Sequence, residues 1–213
     1  MDPYTSPEHG RSALVTIDVQ CDFLDGHPLE VRGTSAVVPR VAQVARFFRA
    51  QGRPIVHVVR LYRPDATDVD VCRRERVEQG AQLLIAGSPG SQLVAPLLAV
   101  PDILLDAEFL LGGGMQLIGE REWLMYKPRW GAFFETPLEA HLHSLDVSTL
   151  VFAGCNWPNC PRTSIYEASE RDFRVVVLSD AISGLYPRGL EESRGIGAMT
   201  VDTAAYVREA ARG

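Results

Sequence analysis

Short apolar runs that lack polar alternation recur along the chain, and most are followed by a polar turn and then by apolar residues at helical spacing. Ala13-Leu14-Val15-Thr16-Ile17 is the first such run, and Pro54-Ile55-Val56-His57-Val58-Val59 is the second. Trp123-Leu124-Met125-Tyr126, Thr149 to Gly154 and Arg174-Val175-Val176-Val177-Leu178 follow. Unalternating β-branched runs read as parallel strands buried on both faces. Between the first two, Val37, Val38, Val41, Val44, Ala45 and Phe48 predict a helix that stops near Gln51-Gly52. A second helix is expected from Pro137 to Ser144 with Thr136 as its cap. A third runs on from Pro161, and a long final one from about Gly189 to Arg212. Leu104-Leu105 and Phe109-Leu110 are short apolar runs placed around a further strand. Residues 60–90 are charged and broken by Pro and Gly, and read as an excursion carrying one short helix. Strands alternating with helices predict an α/β fold: three layers, α/β/α, around a central, mostly parallel sheet. Residues 1–11 are expected as a flexible arm, and 12–213 as a single domain.

Composition narrows the function classes. A formal net charge of −6 argues against nucleic acid or an anionic membrane as partner, since either would call for a basic face. No stretch has the length of a membrane span, and the polar first residues do not form a signal peptide. Cys21, Cys72, Cys155 and Cys160 lack metal-like spacing and read as reduced thiols, which points to a cytoplasmic protein.

The chemistry concentrates where the run ending at Gly154 meets the helix opening at Pro161. Proline is favoured at the first helical position, so Cys160 falls at or beside the N-cap. Unpaired N–H groups and the positive end of the helix dipole there favour a thiolate. A buried structural cysteine is the plainer reading of an isolated Cys, but a strand-to-helix turn in an open α/β sheet is where nucleophiles and anion sites occur. Asp18 and Lys127 end two other predicted strands, so all three residues are expected at the carboxyl edge of the sheet. Each alone also fits a turn acid or a solvated strand end. Together they supply an acid–base group, a cation and a nucleophile. The main-chain N–H groups of Asn156 and Cys160 are available to hold an oxyanion, whereas Pro158 and Pro161 have none.

Four stretches resemble the isochorismatase-like cysteine hydrolase family: Asp18-Val19-Gln20 with Phe23; Lys127 with Ala132-Phe133, Thr136 and Leu138; Gly154 through Cys160; and Val175 through Ala181. The resemblance implies the isochorismatase-like hydrolase fold and an Asp18-Lys127-Cys160 triad. In it Asp18 acts as base and then acid, Lys127 orients, and Cys160 attacks an amide to form a thioester. It also implies a cis peptide at Cys155–Asn156. Amide, N-carbamoyl and lactam C–N bonds, the last as in streptothricin hydrolase, are the expected substrate class. Vinyl-ether hydrolysis of isochorismatase type is an alternative that the retained Cys160 opposes, and a catalytically inactive binding module is another. Trp157 stands where the family often has Thr, and Gly131 where it often has Ser. Nicotinamidase-type members bind zinc through histidines after the second strand, and residues 60–68 contain none, so neither metal nor cofactor is expected. Phe23, Trp130, Phe133 and Trp157 are expected as pocket walls. Arg162, Arg129 and Arg60 are considered as carboxylate partners, with Arg162 also fitting a surface charge. His57 is expected as a satisfied core histidine, and His141 and His143 as surface residues. A homo-oligomer, dimer or tetramer, is expected by analogy with the family.

Overall fold

Buried β-branched runs assemble first into β1 (Ser12–Ile17), β2 (Ile55–Val59), β4 (Glu122–Tyr126), β5 (Thr149–Gly154) and β6 (Arg174–Ile182). With β3 (Met115–Gly119) and β7 (Met199–Val201) they form one seven-stranded sheet in the order β3-β4-β2-β1-β5-β6-β7. The computed structural model describes residues 2–212. Every pairing is parallel except β3 with β4. The positions of β1, β2 and β5 are all buried, as strands covered on both faces require.

Helices α1 (Thr34–Ala50), α3 (Ala107–Leu111) and α7 (Thr203–Ala210) cover one face. There Val41, Val44 and Phe48 of α1, Leu110 of α3 and Tyr206 of α7 pack with Leu14, Val59 and Val151 of the sheet. On the other face, α4 (Leu138–Ser144) and α5 (Cys160–Ser169) bury Leu138, Leu142, Ile165 and Ala168 against Val15, Val56 and Phe152. The result is the three-layer α/β fold with a mostly parallel sheet that the pattern predicts. A smaller core lies beneath the excursion after β2, where α2 (Val71–Glu78) sits. It is built on Phe23, Tyr62, Leu83, Leu84 and Cys155.

Two expected elements are different in the structure. The single long helix to Arg212 is instead α6 (Pro187–Gly195), β7 and α7. Met199–Val201 pair with Val176–Leu178 of β6, and the ladder hydrogen bonds gained there outweigh continued helix. The strand expected around Leu104–Leu110 is α3, capped by Asp106 Oδ1 accepting from the Phe109 N–H at 3.1 Å. The edge strand comes after the three glycines, as β3. The end of the expected arm is held to the body: Glu8 pairs with Arg174 at 3.0 Å and accepts from Ser148 Oγ at 2.6 Å. Among the described residues, no helix is long and apolar enough to cross a membrane.

Candidate active site

The chain builds outward from β1 in both directions, to β2 and β4 on one side and to β5 and β6 on the other. The carboxyl ends of β1 and β5 therefore flank a topological switch point, where open α/β sheets leave a crevice. Two features make the crevice tight. The ends of β1 and β5 meet at Ile17 and Gly154. Gly154 has φ +125°, and a Cβ there would collide with the Ile17 carbonyl oxygen. Only glycine lets the chain leave β5 this close to Asp18.

Asp18 follows β1 at once, in a left-handed conformation with φ 53°. Aspartate tolerates that region better than most side chains. Its main-chain N–H donates to the Val58 carbonyl at 2.9 Å, which pins the turn to β2. Lys127 follows β4, and its N–H donates to the Val59 carbonyl at 3.0 Å. Cys160 is the first residue of α5, with Asn159 at the N-cap and Pro161 behind it. Ser164 fixes that helix end, since its hydroxyl donates to the Cys160 carbonyl at 2.7 Å and accepts from the Ala132 N–H at 3.0 Å.

The three side chains converge on one ammonium group. Lys127 Nζ lies 3.0 Å from Asp18 Oδ2 and 3.3 Å from Cys160 Sγ, and donates to the Arg129 carbonyl at 3.1 Å. The lysine and aspartate side chains are only 1% and 2% exposed, so each charge depends on the other for its solvation. Burial works against the Lys127 ammonium, but the Asp18 carboxylate and the sulfur more than compensate, and its pKa is raised. The thiolate expectation for Cys160 is corrected. Burial, reinforced by the negative charge of Asp18, pushes the thiol up to about 12 against the opposing pull of Lys127. The resting group is therefore a protonated thiol. Asp18 Oδ1 is buried without a hydrogen-bond partner, which leaves one carboxylate oxygen free to take a proton.

The peptide between Cys155 and Asn156 is cis. Among the described residues, the N–H groups of Asn156 and Cys160 donate to no protein acceptor, while that of Trp157 is taken by the Ser183 carbonyl at 2.8 Å. A cleft of about 170 Å³ opens onto Asp18 and Cys160, walled by Phe23, Val31, Asn156 and Asn159, with Arg73 and Arg76 contributed by α2.

Phe23 is the one expected wall that lines this cleft. Trp157 is fully buried, because the turn after Gly154 sends its ring away from the cleft onto α6, where Gly189 leaves room for the indole. Phe133 packs against Phe173 under the Arg171 guanidinium, and Trp130 packs at the margin of the same core. Arg162 pairs with Glu192 at 3.0 Å, a helix-surface ion pair away from the cleft. Arg60 is buried between Asp68 and Asp70, at 3.8 and 3.7 Å, with its guanidinium over the Tyr62 ring. The Arg60 guanidinium thus lies against both acids of this segment. Among the described residues, no group of three His, Cys, Asp or Glu could hold a metal. The exposed Arg129 side chain reaches main-chain carbonyls. His57 is held by Thr16 Oγ1 and by Glu122 Oε1, each at 2.7 Å. His141 is half-buried against Trp123, whereas His143 is exposed.

Sequence reasoning missed Arg73 and Arg76. Their i,i+3 spacing in the one helix expected within residues 60–90 was the available signal, because it puts both on one face. Gln20 is structural: its amide nitrogen donates to the Arg60 and Ser91 carbonyls at 3.0 and 2.7 Å, which ties the excursion down beside the site.

Comparison with known proteins agrees with this architecture. Residues 12–105 and 116–211 match the isochorismatase domain. The chain is 30% identical over 180 residues to a probable inactive nicotinamidase of Arabidopsis thaliana, covering 83% of each chain. It is 26% identical over 199 residues to a ureidoacrylate amidohydrolase of Methylobacterium radiotolerans, covering 84% of this chain and 70% of that one. The solved isochorismatase family protein of Desulfovibrio vulgaris superposes with a TM-score of 0.78 at 32% identity, over 94% of this chain and 98% of that one. The chain is a member of the isochorismatase family of hydrolases.

Proposed function

We propose that the chain is a cysteine amidohydrolase, cleaving the C–N bond of a small amide, N-carbamoyl compound or lactam without a metal. The observation that carries this reading is the buried contact of one ammonium with both a carboxylate and a thiol at the mouth of a cleft. The name of the ureidoacrylate amidohydrolase relative points the same way. In this reading Asp18 takes the thiol proton as Sγ attacks the carbonyl carbon. Lys127 holds the Asp18 carboxylate in place and offsets the negative charge that moves onto sulfur. The N–H groups of Asn156 and Cys160 receive the developing oxyanion. Collapse breaks the C–N bond, and the proton on Asp18 leaves with the amine. Asp18 then removes a proton from water, which adds to the thioester, and Cys160 recovers its proton as the acid departs.

The relative named as probably inactive supports a second reading, a binding module on the same fold. Ammonia or amine release from a panel of amides, N-carbamoyl amino acids and lactams separates the two. Release that disappears in Cys160→Ser establishes the hydrolase. No release, together with no acyl adduct on Cys160 by mass spectrometry, establishes the binding module.

A further inference from the structure

We propose that the cleft is built for a ligand bearing a carboxylate, received by Arg73 and Arg76 of α2 while its other end meets Cys160. The inference rests on the amidohydrolase reading for what happens at that other end, and on the two arginines alone for the carboxylate. Both arginines line the same cleft as Asp18 and Cys160. They stand three apart on α2, and Val77 beside them turns into the core under the excursion, so their face of the helix is the one applied to the body.

The two arginines are prepared differently. Arg73 is held in place: one of its nitrogens donates to Tyr62 Oη at 2.8 Å and lies 3.7 Å from Asp70. The same Tyr62 hydroxyl donates to Asp70 at 2.6 Å. Its remaining donors are uncommitted, and its side chain is 20% exposed. Arg76 has no ion-pair or hydrogen-bond partner for its guanidinium among the described residues, although acidic residues outnumber basic ones in the chain, 27 to 21. Lys127 is already matched by Asp18, and Arg60 by Asp68 and Asp70, which leaves Arg76 as the unmatched cation at the cleft. A planar fork of N–H donors suits a carboxylate, which accepts two parallel hydrogen bonds. Glu30, which also lines the cleft, disfavours a more highly charged anion such as a phosphate.

The test needs no turnover. Iodoacetate and iodoacetamide alkylate a thiolate in the same way but differ by a carboxylate. The ratio of their rates at Cys160, read by fragment-ion mapping and divided by the ratio for free cysteine, cancels any change in the thiolate fraction. At about 0.15 M salt, where screening acts over about 8 Å, the wild-type ratio should exceed that of free cysteine by about tenfold, the worth of one charge-assisted hydrogen-bonded pair. Arg76→Gln should return most of it, and Arg73→Lys, which keeps the charge but not the fork, should return part. Arg76 is exposed and unpartnered, so its variant should fold normally. A wild-type ratio equal to that of free cysteine, or one unmoved by Arg76→Gln, overturns the proposal. A raised ratio in a protein that releases no amine removes the amidohydrolase reading and leaves the carboxylate site standing. Amine release with an unraised ratio does the reverse.

Discussion

At Cys160, two neighbours of opposite charge pull on one thiol, and the aspartate together with burial wins. Replacing Asp18 with Asn removes the negative charge while the lysine remains. The Cys160 pKa should then fall from about 12, and iodoacetamide should label Cys160 faster at pH 8. Turnover should fall by about a hundred- to ten-thousandfold, the usual worth of a general base. Labelling rate and turnover are therefore expected to move in opposite directions in this variant. Slower labelling than wild type would remove Asp18 from the control of the thiol. Asp18 and Lys127 were legible in the sequence because each ends an apolar run, and Cys160 because it stands just before the proline that opens the helix after a third run. The direction of the Trp157 ring was not legible, because it depends on the conformation of the Asn156–Asn159 turn and on the space left by Gly189 in a helix far along the chain. The thiol's proton was also hidden, since burial beside Asp18 is a tertiary fact.

Among the elements, α1, β2 and β4 are joined through one buried acid. Arg49 of α1 grips Glu122 of β4 with Nε and a terminal nitrogen at 2.7 and 2.6 Å, and His57 of β2 contacts the same carboxylate at 2.7 Å. Burial alone would raise the Glu122 pKa, but these partners bring it from 4.5 down to about 2. A carboxylate depressed on folding contributes its stability in full above the unfolded pKa and loses it as pH falls through the folded one. The contribution here is about 3 kcal/mol, present above pH 4.5 and lost toward pH 2. Urea titrations across that window should show the loss in wild type, and a pH dependence smaller by that amount in Glu122→Gln. Equal acid dependence in both proteins would show that Glu122 is not the group responsible. The central strands were readable because each is continuously apolar. The edge strand β7 was not, because its three half-buried residues carry no strong period and owe their conformation to the open side of β6.

Across the whole molecule, the parallel sheet with helices on both faces followed from alternation of strand and helix, and the switch point between β1 and β5 followed from their order. What patterning could not supply was how the excursion after β2 folds back. Its helix α2 has no buried residue of its own, so its position over the cleft rests on neighbours such as Tyr62, Asp70 and Gln20, and the cleft-facing arginines stayed hidden with it. One further property follows from the way the chain distributes its cations. Of the 21 basic residues, twenty are arginines and one is a lysine, and that lysine is Lys127, buried after β4 with its ammonium between Asp18 and Cys160. A compact ammonium fits between a carboxylate and a sulfur where a planar guanidinium would not. The protein consequently carries a single side-chain amine, out of reach of solvent while the sheet edge is closed. Acylation with a succinimidyl ester should leave Lys127 unmodified in the native protein and should track the unfolded fraction as urea is raised, with modification read at that one peptide. Modification in native buffer at the rate of free lysine would contradict its burial. Otherwise, the amine is a built-in tracer of opening at the site, reporting how often this edge of the sheet admits water without any engineered label.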